Sequence, residues 1–206
     1  MMNMQSIILN KVENYIKELL GKINSNGMYY HNYNHTLDVV KVSTEIALAE
    51  GIGDDDIEII KIAAWFHDSG YLSCCEGHEK QSSIYAQKFL EKESYPENKI
   101  KKVTGCINAT TIPQSPKNKI EEILCDADLH HLGTVDSEEK GKLLRKEIEY
   151  KELKKFSDLE WLKMSLQFLQ HHKYFTDYAK VKFDEQKKLN ILDLGNKLML
   201  LERSKN

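Results

Sequence analysis

Apolar residues recur three and four positions apart along most of the chain, and no stretch alternates with a period of two, so the pattern predicts an all-α fold. A first helix carries Ile8, Val12, Tyr15, Ile16, Leu19 and Leu20 on one side, with Gly27 beyond its end. A second, from about residue 35 to 51, has Asn34 as its expected N-cap and Leu37, Val39, Val40, Val42, Ile46 and Ala47 as its apolar body. Asp55 and Glu58 have the spacing of a capping box for a third, which runs into Ala63-Ala64-Trp65-Phe66-His67-Asp68-Ser69-Gly70. Gly70 is expected to close that helix in the left-handed conformation.

A loop over 71–77 is expected next, then a helix over 78–91 that buries Ile84, Ala86, Phe89 and Leu90, and a break at Tyr95-Pro96. A helix over about 97–110, the loop between Pro113 and Pro116, and a short helix with Ile120, Ile123 and Leu124 lead to Cys125-Asp126-Ala127-Asp128-Leu129. Asp136, and Ser157 with Glu160, are expected to cap two further helices. A last helix, from about 185 to 203, carries Leu189, Leu192, Asn196 and Met199 among its core-type residues. Without repeats or a long linker, the 206 residues read as one helical domain.

Charge and cysteine content narrow the setting. Lys and Arg number 29 against 32 Asp and Glu, a net of −3, which disfavours a nucleic-acid-binding surface. No apolar run is long enough to span a membrane, and the N-terminus has no signal-sequence pattern. The four cysteines lack C-x-x-C spacing, so a reduced cytoplasmic protein is expected.

The candidate chemistry lies in His and Asp residues at helix ends beside loops: His31, His35, His67, Asp68, His78, Asp126 and Asp128. His67 and Asp68 are adjacent, so on a regular helix they point about 100° apart and share a pocket only near a helix end. Two imidazoles and two carboxylates suit a borderline divalent ion such as Mn, Fe, Co, Ni or Zn. Four protein ligands on an octahedral ion leave two positions for a water and a substrate oxygen, the equipment of hydrolysis. His130, His131, His171 and His172 read as structural, and the lysines at 99, 101, 102, 117 and 119 as a solvated face.

His35, then His67-Asp68, then Asp126, together with Tyr30-His31-Asn32-Tyr33-Asn34-His35-Thr36, Phe66-His67-Asp68, the stretch from Glu79 to Ser83 and Asp126-Ala127-Asp128-Leu129, resembles the HD-domain metal-dependent phosphohydrolases, above all the small stand-alone bacterial members. The Tyr-His-Asn-x-x-His motif is also similar to that of class I cyclic-nucleotide phosphodiesterases, built on the same helical core. The resemblance implies a single HD-type helical bundle with His35, His67, Asp68 and Asp126 as ligands of one tightly held divalent transition ion. It makes His31 the proton donor to the leaving group and Glu79 and Asp128 outer or water-orienting groups. His78 and Arg145 stand as candidates for a second metal or for substrate. The expected partner is a small phosphorylated substrate of the nucleotide class; the alternative is a non-catalytic sensor that binds a nucleotide or metal in the same pocket.

Overall fold

The most apolar run of the sequence becomes the helix around which its neighbours pack. In a computed structural model of the protein, which describes residues 4–21 and 27–203, this helix is α3, Asp54–Phe66. Residues 1–3, at the N-terminus read above as having no signal sequence, lie outside the described residues. Every residue of α3 from Glu58 to Phe66 except Lys61 is buried. A helix apolar on all sides must be surrounded, and α3 touches α1 (Met4–Gly21), α2 (Tyr33–Ala49), α4 (His78–Lys92), α5 (Glu97–Ala109) and α6 (Lys119–Asp128). Tyr15, Phe66 and Phe89 form an aromatic triplet where α1, α3 and α4 meet, with ring centroids 4.6 to 5.9 Å apart. Its one buried carboxylate, Glu58, is bonded by the Tyr95 hydroxyl and by Lys99 rather than closing a capping box; Gly53 occupies the N-cap.

Two other local expectations change. The side chain of Asn32, not Asn34, caps α2, accepting from the backbone N–H groups of Asn34 and His35 at 2.9 and 3.3 Å. Gly70 does not adopt the left-handed conformation; the glycines with positive φ are Gly27, Gly51 and Gly77. Gly70 lies in a 3-10 turn, Ser69–Leu72, where a Cβ would fall on the carbonyl group of His78 and the amide of Ser82. Its N–H donates to Ser82 Oγ at 2.8 Å. A glycine is required there because two backbones meet, and the contact fixes the start of α4 against the end of α3.

The described residues form two compact units. The first contains α1 and residues 31–128; the second contains residues 27–30 and those from 129 onward. The second holds a 3-10 turn, His130–Gly133, and helices α7 (Ser137–Lys151), α8 (Asp158–His171) and α9 (Asp177–Arg203). Ser157 and Glu160 form the expected capping box of α8. Asp136 precedes α7 without capping it: its carboxylate accepts from Thr134 and faces Lys140. The last helix begins eight residues earlier than its apolar pattern suggests, because Thr176 Oγ1 accepts the Ala179 N–H at 3.2 Å. Along α9, Leu189, Leu192 and Met199 are exposed rather than core residues. Between α7, α8 and α9 lies an apolar cleft of about 930 Å³, lined by Leu144, Ile148, Trp161, Leu162 and Leu194 among others.

Candidate metal centre

Three helix ends in the first unit supply the site. His35 stands in the first turn of α2, His67 is the residue that caps α3 at its C-terminus, Asp68 follows it, and Asp128 is the last residue of α6. One donor atom from each of these four lies within 4.8 Å of every other. Asp68 Oδ2 is 3.0 Å from His67 Nε2 and 3.2 Å from His35 Nε2, and Asp128 Oδ1 is 3.4 and 3.5 Å from the same two nitrogens.

Of the two acids near residue 127, the structure brings Asp128 to this cluster and not Asp126, the residue to which the sequence resemblance gave the ligand role. Positions two apart on a helix point about 200° apart, so a single pocket receives one or the other. Asp126 is buried, on the helix body, with interactions of its own.

The geometry fits a cation. His67 Nδ1 lies 2.8 Å from the carbonyl oxygen of Ala64, which makes that nitrogen the donor and leaves Nε2 with its lone pair facing the cluster. His35 Nε2 is only 3.4 Å from His67 Nε2, two like atoms aimed at one point. Asp68 Oδ2 is buried and receives no hydrogen bond despite its two imidazole neighbours. A buried acceptor left in this state is costly unless a positive charge satisfies it. In the protein alone, protons are the substitute: burial opposes charge on His35 and His67, yet the carboxylates of Asp68 and Asp128 carry both imidazoles above their ordinary value, His67 well above. Burial likewise opposes charge on Asp68 and Asp128, and the imidazoles overcome it and lower both carboxyls.

Beside this cluster, in the same unit, stand His31, His78 and Glu79. His31 meets His35 edge to face at 5.8 Å. His78 places Nε2 3.5 Å from Asp68 Oδ1 and takes up the Cys75 carbonyl at 3.0 Å through Nδ1. Glu79 is buried in the first turn of α4, 3.5 Å from His78. Arg145 belongs to the second unit, where its guanidinium is engaged with Glu149, Asp158 and the Phe156 carbonyl, so it presents no free fork to a phosphate. His130 and His131 are buried in that unit, His131 against the Tyr30 hydroxyl at 3.0 Å. Lys99, Lys101, Lys102 and Lys119 are paired with acidic side chains. Cys125 lies three residues before Asp128 but donates its thiol to the Ala109 carbonyl.

One residue absent from the sequence reading joins the site. The ring of Tyr71 stacks on His31, centroids 3.9 Å apart and planes 20° apart, and on His78, at 3.7 Å and 25°. Its only sequence signal was a position three residues after Asp68, in what the pattern showed as loop.

The HD-domain family model matches residues 32–193, a span that includes residues of both units. No curated protein matches the chain. Among solved structures, the chain is similar to a predicted HD superfamily hydrolase from an uncultured Thermotogales bacterium, with 18% identity, a TM-score of 0.60 and coverage of 97% of this chain and 99% of that one. A protein from Listeria innocua aligns at 19% identity and TM-score 0.63, over 98% of this chain and 96% of its own. One from Lactobacillus plantarum aligns at 14% identity and TM-score 0.65, over 96% and 97%.

Proposed function

Because the chain belongs to the HD-domain family, we propose that it is a metal-dependent phosphohydrolase that cleaves a phosphoester of a nucleotide or related small phosphorylated metabolite. The observation that carries this reading is the convergence of four donor atoms from His35, His67, Asp68 and Asp128 on one point, with an unsatisfied carboxylate oxygen among them. These four would hold a single divalent transition ion of the Mn, Fe, Co, Ni or Zn class. When bound, such an ion supplies Lewis acidity at a phosphoryl oxygen and acidifies a water.

The chain's own residues perform the rest. The Ala64 carbonyl holds His67 in one tautomer, so that its Nε2 is turned inward before any ligand arrives. The side chain of Asp128 is the most exposed of the four, at 17% against 7% or less for the others, and this exposure supports a role in which it would accept a hydrogen bond from the attacking water. His31, outside the cluster and edge-on to His35, gives a proton to the departing oxygen. Glu79, 3.5 Å from His78, puts a negative charge beside that imidazole while the Cys75 carbonyl fixes its Nδ1. The setting proposed for such an enzyme is cytoplasmic, with Cys74, Cys75, Cys106 and Cys125 as free thiols.

Elemental analysis of the purified protein, combined with a panel of phosphomonoesters, cyclic nucleotides and nucleoside polyphosphates, tests the reading. The expected result is close to one transition ion per chain and turnover of at least one ester, with both lost in His67→Ala and Asp68→Ala. Nucleotide binding without turnover would instead identify a sensor module, and stoichiometric metal in both variants would refute the ligand assignment.

A further inference from the structure

We propose that Tyr71 is a positioning residue: its ring, held between the imidazoles of His31 and His78, sets the orientation of the proton donor relative to the leaving oxygen. The inference rests on the function proposed above for its catalytic consequence, and on ring geometry alone for the positioning itself.

The three rings form one stack. Tyr71 lies 3.9 Å from His31 and 3.7 Å from His78, while the two imidazoles are 6.3 Å apart, so the phenol ring separates them. The planes turn by 20° and then by 25°, and the two imidazoles differ by 44°, a fan that opens progressively across the stack. Each member comes from a different segment. His31 lies just before α2, Tyr71 in the 3-10 turn after His67-Asp68, and His78 at the first position of α4.

Both outer rings have a second anchor. His78 is tied by Nδ1 to the Cys75 carbonyl and approaches Asp68 through Nε2. His31 rests edge-on against His35. The Tyr71 N–H in turn donates to the Asp68 carbonyl at 3.1 Å, so the central ring is built on the backbone of the metal cluster. A flat ring against the face of His31 restricts its rotamer, because stacked rings lose contact when either rotates. General-acid catalysis needs the donor within hydrogen-bond reach of its oxygen, and a displacement of about 1 Å can cost about 10²-fold in rate.

Tyr71→Leu removes the ring and keeps the bulk, and Tyr71→Phe keeps the ring and removes only the hydroxyl. The first measurement needs no activity: in the metal-free protein the carbon-bound imidazole protons of His31 and His78 should resonate upfield under the Tyr71 ring current. They should move downfield together in Tyr71→Leu and stay in Tyr71→Phe. Unmoved signals in Tyr71→Leu would disprove the stack. The second is kinetic. Tyr71→Leu should retain its metal and its KM and lose about 10- to 100-fold in kcat on an alkyl or ribose phosphoester, with a much smaller loss on a p-nitrophenyl ester, whose leaving group departs without a proton. Tyr71→Phe should restore the rate on both. An equal loss on the two esters, or none, would overturn the positioning role even with phosphohydrolase activity intact. Absence of turnover in the unaltered protein would overturn the proposed function, and the resonance shifts would still decide whether Tyr71 orders the two imidazoles.

Discussion

His31 and His35 sit four positions apart and differ in what their rings meet. His35 Nε2 points at both carboxylates of the cluster, whereas His31 lies flat on Tyr71. Replacement of His35 by Ala should therefore abolish metal binding, measured by elemental analysis. His31→Ala should keep the metal and lose about 10²- to 10⁴-fold in kcat, the range of a general acid. Metal loss in His31→Ala would move that residue into the ligand set. The same assay separates the two acids: Asp128→Asn should release the ion, while Asp126→Asn should retain it even if buried Asp126 contributes to stability.

Titration of the cluster follows from the directions of its shifts. In the metal-free protein the imidazole of His67 is raised, so its contribution to stability is present below about pH 6.5 and is lost as pH rises through the folded value. Asp68 and Asp128 are lowered, and their contribution is present above about pH 3.9 and lost as pH falls through the folded values. The cluster therefore stabilises the chelator-treated protein most between about pH 4 and 6.5. Its melting temperature should fall on the alkaline side of that window by more than that of His67→Leu. Parallel curves for the two proteins would refute the coupling.

Helix by helix, the apolar spacing located the bodies of α1 to α6 and the capping box of α8, since burial and short-range hydrogen bonds leave a direct trace in residue type. Where the chain departed from expectation, a distant partner had intervened. Glu58 has capping-box spacing but is claimed by Tyr95, in the break before α5, and by Lys99 of α5, and Leu189, Leu192 and Met199 look like core but are exposed along α9. At the site, the His and Asp residue types and their order were legible, because donor chemistry is carried by side-chain identity. Which of Asp126 and Asp128 faces the cluster depends on where α6 ends, and the Tyr71 stack depends on three segments meeting; neither is a property of a local window. Gly70 belongs with these. Gly70→Ala would drive a methyl group into the carbonyl of His78 and separate the end of α3 from the start of α4. A loss of about 1 to 3 kcal/mol in chemical denaturation is expected, the usual range for overpacking. An unchanged midpoint would show that the two backbones part at little cost.

Across the whole molecule the packing is uneven. In α3 nearly every residue from Glu58 onward is out of water, whereas α7 buries only Glu147 and α8 only Leu169, with the apolar cleft beside them. Opening free energies span the range from near zero to the global value and follow burial. Amide deuterium uptake should therefore be slowest in α3, as far as the backbone of His67, and fastest among the long helices in α7. Equal protection in α3 and α7 would contradict this order. The cleft of the second unit thus carries a kinetic expectation: solvent should reach α7 by a small local fluctuation, while the amides that lead to His67 should exchange only when the first unit itself comes apart.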